Sequence, residues 1–257
     1  VDANGLPLAL SDPNWNANDA EFDASATAPV DPRLDWTVGR DGVPYKDWGL
    51  HAAGWIRSPT FGGPYSPKKN VHEKNSGTQQ EGGGWFPAQQ NSLNIHIYRY
   101  ADLLLLLAEA EVEAGVLENA RAIVNQIRTR AGVAAQGPGT GATDIAVPIN
   151  DGSTTWADYQ IGLYTAAFPD QATARAAVRA ERRLELAMEG HRFFDLRRWG
   201  GFEQVLNDYI AEESTRRSFL GAAAAVTSRY SLYPIPASQI ELSKVGDQPR
   251  LTQNTGW

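Results

Sequence analysis

Apolar residues follow a helical period in the middle of the chain, beginning near Ile97. Residues 98–114 read YRYADLLLLLAEAEVEA and precede Gly115, a residue typical of the position just after a helix end. Leucine fills all five positions from 103 to 107, so we expect this helix to be buried on more than one side. The pattern therefore predicts a first long helix at the centre of the fold.

A second amphipathic segment follows after a short turn. One stripe at helical spacing carries Ala120, Ile123, Val124, Ile127 and Ala131. Gly132 is the expected end of this helix, and the short connection predicts an antiparallel helical hairpin. The hairpin fits the 34-residue tetratricopeptide pattern with its small residue at Ala108 and its alanine at Ala120, although Glu111 stands where tyrosine is usual. An ordinary helical hairpin is the alternative.

Three more helical segments are predicted, at 170–189, 202–211 and 238–242. Gly190 is the expected end of the first of them. No stretch alternates apolar and polar residues for long enough to predict a sizeable sheet. The predicted fold class is mostly α, with tetratricopeptide-like helical hairpins, long irregular loops and little or no sheet.

The first 96 residues have a different pattern, rich in Gly, Pro, Asn and Asp without a sustained period. Five of the eight tryptophans lie there, which favours long ordered loops over disorder. We therefore divide a single domain into a Trp-rich loop region, 1–96, and a helical scaffold with loops, 97–257.

Charge and composition exclude several classes of function. The formal net charge of −7 disfavours nucleic-acid binding, which needs a basic face. The absence of cysteine excludes disulfides and thiolate chemistry. The longest apolar block has six residues, whereas a transmembrane helix needs about 20. The opening VDANG has neither the basic start nor the apolar run of a secretory signal.

The charged stretch 181–200, ERRLELAMEGHRFFDLRRWG, contains the ionisable residues that could form a metal site. His191 and Asp195 would share a face if a helix resumed after Gly190, but a metal site needs a third ligand and none follows the known spacings. Gly82-Gly83-Gly84 does not form a phosphate-binding loop. We predict no metal and no cofactor, and the sequence leaves open whether calcium is bound.

The same stretch could supply a pair of catalytic carboxylates, as in a glycoside hydrolase using Glu181 and Glu185. Glu181, however, falls on the apolar stripe of its helix, and a buried carboxylate needs cationic partners. Arginines are abundant in the sequence, and their forked guanidinium suits such pairing. The favoured hypothesis is a structural ion-pair network, whose expected members are Glu181, Glu185, Arg128, Arg192 and Arg197.

Several segments resemble the SusD/RagB family of outer-membrane nutrient-binding lipoproteins. They are YRYADLLLLLAEA at 98–110, RLELAMEGHRFFDLRRWG at 183–200, LYPIP at 232–236 and LTQNTGW at 251–257, preceded by DPRLDWTVGRDGVPYKDWG at 31–49. They occur in the family's order. Thr255 departs from the family, which often has proline there. Family members are about twice as long, so the 257 residues resemble a C-terminal portion.

The resemblance implies a tetratricopeptide-like scaffold that binds glycans or other nutrients and catalyses nothing. It implies a SusC-type TonB-dependent transporter as partner and an outer-membrane, cell-surface location. The membrane attachment it implies is an N-terminal lipid anchor, which these residues do not contain. A plain tetratricopeptide-like protein-interaction module is the remaining alternative.

Aromatic side chains in the loop region are the candidate ligand platforms, because sugar rings present flat C–H faces that pack on aromatic rings. Trp15, Trp55 and Trp85 lie in the less family-like loops, where specificity tends to reside. The other candidates are Trp36, Trp48, Tyr45 and Tyr65. For each, packing of a loop onto the helices is the alternative role.

Overall fold

The structure, a computed structural model, describes residues 1–9, 12, 29–78, 92–136, 157 and 159–257. Its helices are α1 (Arg33–Thr37), α2 (Pro59–Gly62), α3 (Tyr100–Glu113), α4 (Leu117–Gln136), α5 (Gln171–Glu185), α6 (Arg192–Trp199), α7 (Phe202–Glu213) and α8 (Ala237–Leu242). The two strands are β1 (Val38–Gly39) and β2 (Ser66–Pro67). The mostly α fold is confirmed. The chain divides into two compact units, 1–190 and 191–257.

The core of the first unit lies where α3, α4 and α5 pack together. Its buried members are Ala108, Val112, Ala120, Val124, Phe168, Ala174, Ala177 and Val178. Four of these eight residues are alanine, whose small side chain lets helix backbones approach closely. Gly115, at φ +80°, makes the turn between α3 and α4, so the predicted hairpin is confirmed.

Helix α3 is buried on one face, so the prediction of burial on several sides is wrong for the described residues. Leu105 has no exposed surface, whereas Leu103 is 62% exposed and Leu107 46% exposed. The buried stripe runs from Leu105 through Ala108 to Val112, the spacing of one helix face. Both neighbouring helices pack on that face, which leaves Leu103, Leu106 and Leu107 exposed and Leu104 half-buried.

Helix α4 continues past Gly132, where the sequence predicted its end. A Cβ built on Gly132 would lie 2.8 Å from Cγ2 of Ile161. The glycine therefore permits close packing of a neighbouring segment and does not stop the helix.

Helix α5 begins at the N-cap Asp170, whose carboxylate accepts a hydrogen bond of 2.7 Å from the backbone N–H of Thr173. The helix ends at Glu185, four residues before the predicted end. Met188 and Gly190 then adopt positive φ values of 64° and 81° in a turn. Glu189 consequently lies on this turn and not on the helical row of Glu181 and Glu185.

The described part of the loop region is organised around the short antiparallel pair of β1 and β2, in which Val38 faces Pro67 and Gly39 faces Ser66. A Cβ on Gly39 would lie 2.6 Å from the ring of Tyr45, so only glycine fits there. Backbone pairing and side-chain packing thus fix the segment that carries the aromatic residues.

The second unit contains α6, α7, α8 and irregular turns. Arg192 lies over the ring of Trp199, with 5.7 Å from guanidinium carbon to ring centroid. Arg197 lies 5.4 Å from the ring centroid of Tyr233 and donates to the carbonyl oxygen of Ser231. The part of these two arginines in the network with Glu181 and Glu185 stays a prediction.

Candidate functional site

Two regions of the first unit carry the candidate residues. The first, here called the charge network, joins the end of α5 and the turn after it to α4, to the start of α1, to the residue before α3 and to the segment after β2. It comprises Asp31, Arg33, Lys69, Arg99, Arg128, Arg130, Glu181, Glu185 and Glu189.

Glu181 lies at the centre of the charge network and has no exposed surface. Its Oε1 accepts a hydrogen bond of 2.6 Å from Nη1 of Arg33, and its Oε2 accepts one of 2.7 Å from Nη1 of Arg128. Arg128 is equally buried and also donates to the carbonyl oxygens of Gly5 and Gly162. Both carboxylate oxygens are therefore engaged, and Glu181 joins α5 to α1 and α4.

Glu185 receives three guanidinium groups. Arg99 and Arg130 donate to Oε1, at 2.9 Å for Arg99, and Arg33 donates to Oε2 at 3.2 Å. Burial alone would raise the pKa of Glu185, but the nearby charges of Arg130, Arg33 and Arg99 lower it below the ordinary value. The carboxyl group thus stays ionised at neutral pH.

Arg33 was missed in the sequence, although the motif DPR that carries it was among the family-like segments. Its Nε and Nη2 bind the two oxygens of Asp31, at 2.9 and 2.8 Å. Burial would lower the pKa of Arg33, yet the charges of Glu181 and Asp31 raise it well above its usual value. The spacing Asp-x-Arg is the signal in the sequence that could have indicated this ion pair, because it places the carboxylate of Asp31 within reach of the guanidinium of Arg33.

The turn after α5 closes the network. Glu189 accepts hydrogen bonds of 2.8 and 2.7 Å from Nε and Nη2 of Arg99, and it forms an ion pair with Lys69. The pKa of Glu189 is lowered by these cations, against the opposing effect of burial. Lys69 also donates to the carbonyl oxygens of Glu185 and Ala187 at 2.7 and 3.2 Å, which satisfies the helix end.

The second region, here called the aromatic cluster, consists of Tyr45, His51 and Trp55. The ring centroid of Trp55 lies 5.8 Å from that of Tyr45 and 5.3 Å from that of His51, both in edge contacts. Tyr45 and His51 are buried, whereas Trp55 is 50% exposed. The indole is thus supported from one side and open to solvent on the other.

Hydrogen bonds and charges fix the base of the aromatic cluster. The Tyr45 hydroxyl donates to the carbonyl oxygen of Pro67. His51 Nε2 lies 2.8 Å from Oγ of Ser66, and burial lowers the pKa of His51. Lys68 is buried, donates to the carbonyl oxygen of Pro44 at 2.7 Å and has its pKa lowered to about 8, chiefly by burial. The platform therefore rests on a rigid polar base.

The other predicted platforms have different environments. Trp48 donates from Nε1 to the carbonyl oxygen of His72 at 2.9 Å and packs edge-on against that ring. Trp36 and Tyr65 are half-buried. Trp15 and Trp85 lie outside the described residues. Among the described candidates, Trp55 presents the largest exposed fraction.

Within the described ranges, no group of three or more His, Cys, Asp or Glu side chains is arranged to hold a metal ion. In the same ranges no helix combines the length and apolar character that crossing a bilayer requires.

Comparison with known proteins gives consistent matches. A model of the SusD family matches residues 2–257. A SusD-like protein of Formosa agariphila is 28% identical over 169 residues, which are 65% of this chain and 26% of that protein.

Two solved structures share the fold. A SusD-like protein from Bacteroides fragilis has a TM-score of 0.53 at 21% identity, covering 88% of this chain and 39% of its own. A SusD homolog from Bacteroides thetaiotaomicron has a TM-score of 0.54 at 22% identity, covering 88% and 41%. The chain thus spans less than half the length of these relatives.

Proposed function

The chain belongs to the SusD family, and on that premise we propose that it binds glycans or other nutrients at the outer cell surface without catalysing a reaction. We further propose that it delivers them to a SusC-type TonB-dependent transporter and is attached to the outer membrane through an N-terminal lipid.

The observation that carries the binding proposal is the half-exposed indole of Trp55 in the aromatic cluster. Its edge contacts with Tyr45 and His51 hold the ring in one orientation, so little side-chain entropy is lost when a ligand stacks on it. A sugar ring has C–H faces that suit such a surface, and aromatic packing of this kind contributes about 0.5–1.5 kcal/mol beyond the buried area.

Calorimetry against a panel of polysaccharides, oligosaccharides and peptides tests the proposal. We expect at least one glycan to bind and the variant Trp55→Ala to weaken that binding by about tenfold or more, since it removes a stacking surface. The matched control is Tyr209→Ala, which removes an aromatic side chain of similar exposure, 56%, from the second unit. Equal binding by Trp55→Ala and the parent chain would exclude this platform.

The hydrolase alternative requires Glu181 or Glu185 to reach a substrate. Glu181 has no exposed surface and both its oxygens are held by guanidinium groups, which argues against that role. A reducing-end assay separates the two functions: we expect no release of sugar by the parent chain. Release that disappears in a folded Glu181→Gln variant would establish the enzyme instead.

Co-purification tests the transporter as partner and the interaction-module alternative together. The experiment asks whether a SusC-type transporter co-purifies with the family's longer proteins, in the presence and in the absence of glycan. Capture that accompanies glycan binding supports delivery, whereas capture by a protein that binds no member of the panel supports a plain interaction module.

A further inference from the structure

A cavity of about 200 Å³ opens beside the charge network, within the first unit. Its lining comes from α1, from Lys46 and Lys69 in the loop region, from Arg99 before α3, from α4 and from the end of α5. The residues around it are Arg33, Trp36, Thr37, Lys46, Lys69, Arg99, Arg130, Ala131, Leu184 and Glu185. The volume lies below the roughly 300–1,000 Å³ of pockets for drug-sized ligands, so a small group fits.

The charge of the lining is unequal, with five basic side chains and one acidic side chain. Most of the basic groups are fully engaged by the protein. Arg33 donates from Nε, Nη1 and Nη2 to carboxylates, Arg99 does the same, and Lys69 binds Glu189 and two carbonyl oxygens. These cations form the wall, and their hydrogen bonds hold its shape.

Two lining groups keep donors that the described part of the chain does not use. Arg130 is 54% exposed and donates from Nη2 to Oε1 of Glu185, which also accepts a hydrogen bond from Arg99. Because a guanidinium has five N–H donors, Arg130 keeps donors that this contact does not use. The indole Nε1 of Trp36 is buried and has no hydrogen-bond partner there. A buried donor left unsatisfied costs about 1–3 kcal/mol, which a ligand acceptor would recover.

We propose that this cavity binds a small oxyanion, a carboxylate or sulfate group, through the free guanidinium donors of Arg130 and the Nε1–H of Trp36. The class of ligand follows from chemistry alone. Both free groups are donors without acceptor capacity, which excludes a metal cation, and the positive charge of Arg130 favours a negatively charged ligand over a neutral hydroxyl. The proposal is independent of stacking on Trp55.

Three soluble probes at constant ionic strength test the proposal by calorimetry: glucuronate, sodium sulfate and glucose. We expect glucuronate, sulfate or both to bind and glucose not to bind. Binding of glucuronate alone assigns a carboxylate, and binding of sulfate alone assigns a sulfate. Arg130→Gln should weaken anion binding by roughly tenfold or more, because a charge-assisted hydrogen bond is lost.

A second variant and a control keep the test decisive. Trp36→Phe preserves a ring and removes the N–H donor, so we expect it to weaken anion binding by about threefold; it decides the matter if Arg130→Gln does not fold. Arg175→Gln is the control, since it removes an arginine that pairs with Glu113 away from the cavity. No binding of either anion, unchanged binding in folded Arg130→Gln, or an equal loss in Arg175→Gln would overturn the proposal.

Discussion

The charge network joins the helices to the loop region and the aromatic cluster lies within the loop region, and the two differ in what they leave exposed. In the network, Glu181 has no exposed surface and every oxygen is engaged. In the cluster, Tyr45 and His51 are buried and Trp55 remains half-exposed. A high density of ionisable residues thus belongs to the scaffold, whereas the exposed face of a well-supported neutral ring is the better candidate for binding.

The physical reason is desolvation. A carboxylate moved out of water is costly unless cations and donors replace its hydration, so buried charges are satisfied by the protein and have little left for a ligand. An aromatic ring has no such requirement, and it can be half-buried for support while its other face stays available. Removing residues from each region should therefore give opposite patterns of stability and binding.

The largest effect is expected for Glu181→Gln. The change leaves the buried guanidiniums of Arg33 and Arg128 without their shared counter-charge, which should lower the free energy of unfolding by about 3–5 kcal/mol. Urea denaturation at pH 7 measures it. Glu113→Gln removes an exposed partner of Arg175 and should shift the midpoint little. A similar shift in both variants would mean that Glu181 is no more structural than a surface residue.

Acid should weaken the charge network next. The folded-state pKa values of Glu185 and Glu189 are lowered by their cations, so the stability they contribute is present above the unfolded value of 4.5 and is lost as pH falls through the folded values. Each unit by which a carboxyl pKa is depressed is worth about 1.4 kcal/mol. Urea unfolding between pH 6 and 3 should show the loss, and it should be smaller in Glu189→Gln. A free energy of unfolding that does not change between pH 6 and 3 would contradict a contribution of these ion pairs to stability.

The aromatic cluster should respond on the alkaline side, because burial of Lys68 disfavours its charged form. Lys68, beneath Tyr45, has its pKa lowered from 10.5 to about 8, chiefly by burial. Between these values the unfolded chain binds a proton that the folded chain has released, so stability rises with pH, by up to about 2 kcal/mol from pH 8 to 9.5. Unfolding of the parent chain and of Lys68→Met should diverge there. If the parent chain and Lys68→Met show the same change of unfolding free energy with pH, the pKa of Lys68 is not lowered in the folded state.

The helical scaffold was largely predictable because its signals are local. The i, i+3, i+4 stripe from Ala120 to Ala131 and the N-cap at Asp170 each act within one or two turns of helix. The predictions were wrong where contacts with distant segments determine the structure. Gly132 is fixed by Ile161, and the exposure of Leu103 and Leu107 depends on which face the other helices cover.

The candidate sites were less predictable for the same reason. The position of Glu181 on an apolar stripe indicated its burial, but its partner Arg33 is 148 residues away in the sequence. The tryptophans were recognisable as a group, whereas their separation into the anchored Trp48 and the exposed Trp55 depends on where His72, Tyr45 and His51 lie. Residue type predicts the chemistry available, and only packing decides which residues present it.

Apart from the Glu113→Gln control, the smallest effect on stability is expected for Trp55→Ala. The side chain is already half-exposed, so its removal forfeits the edge contacts with Tyr45 and His51 and should cost about 1 kcal/mol. Tyr45→Ala should cost more, about 3 kcal/mol, because that ring is buried beneath it. If urea unfolding reverses this order, Trp55 packs the loop and does not serve a ligand. The first condition for a role in binding is that this order holds. The second condition is that glycan affinity falls in Trp55→Ala and not in the control Tyr209→Ala. If both conditions hold, the ring of Trp55 contributes little to folding and much to binding.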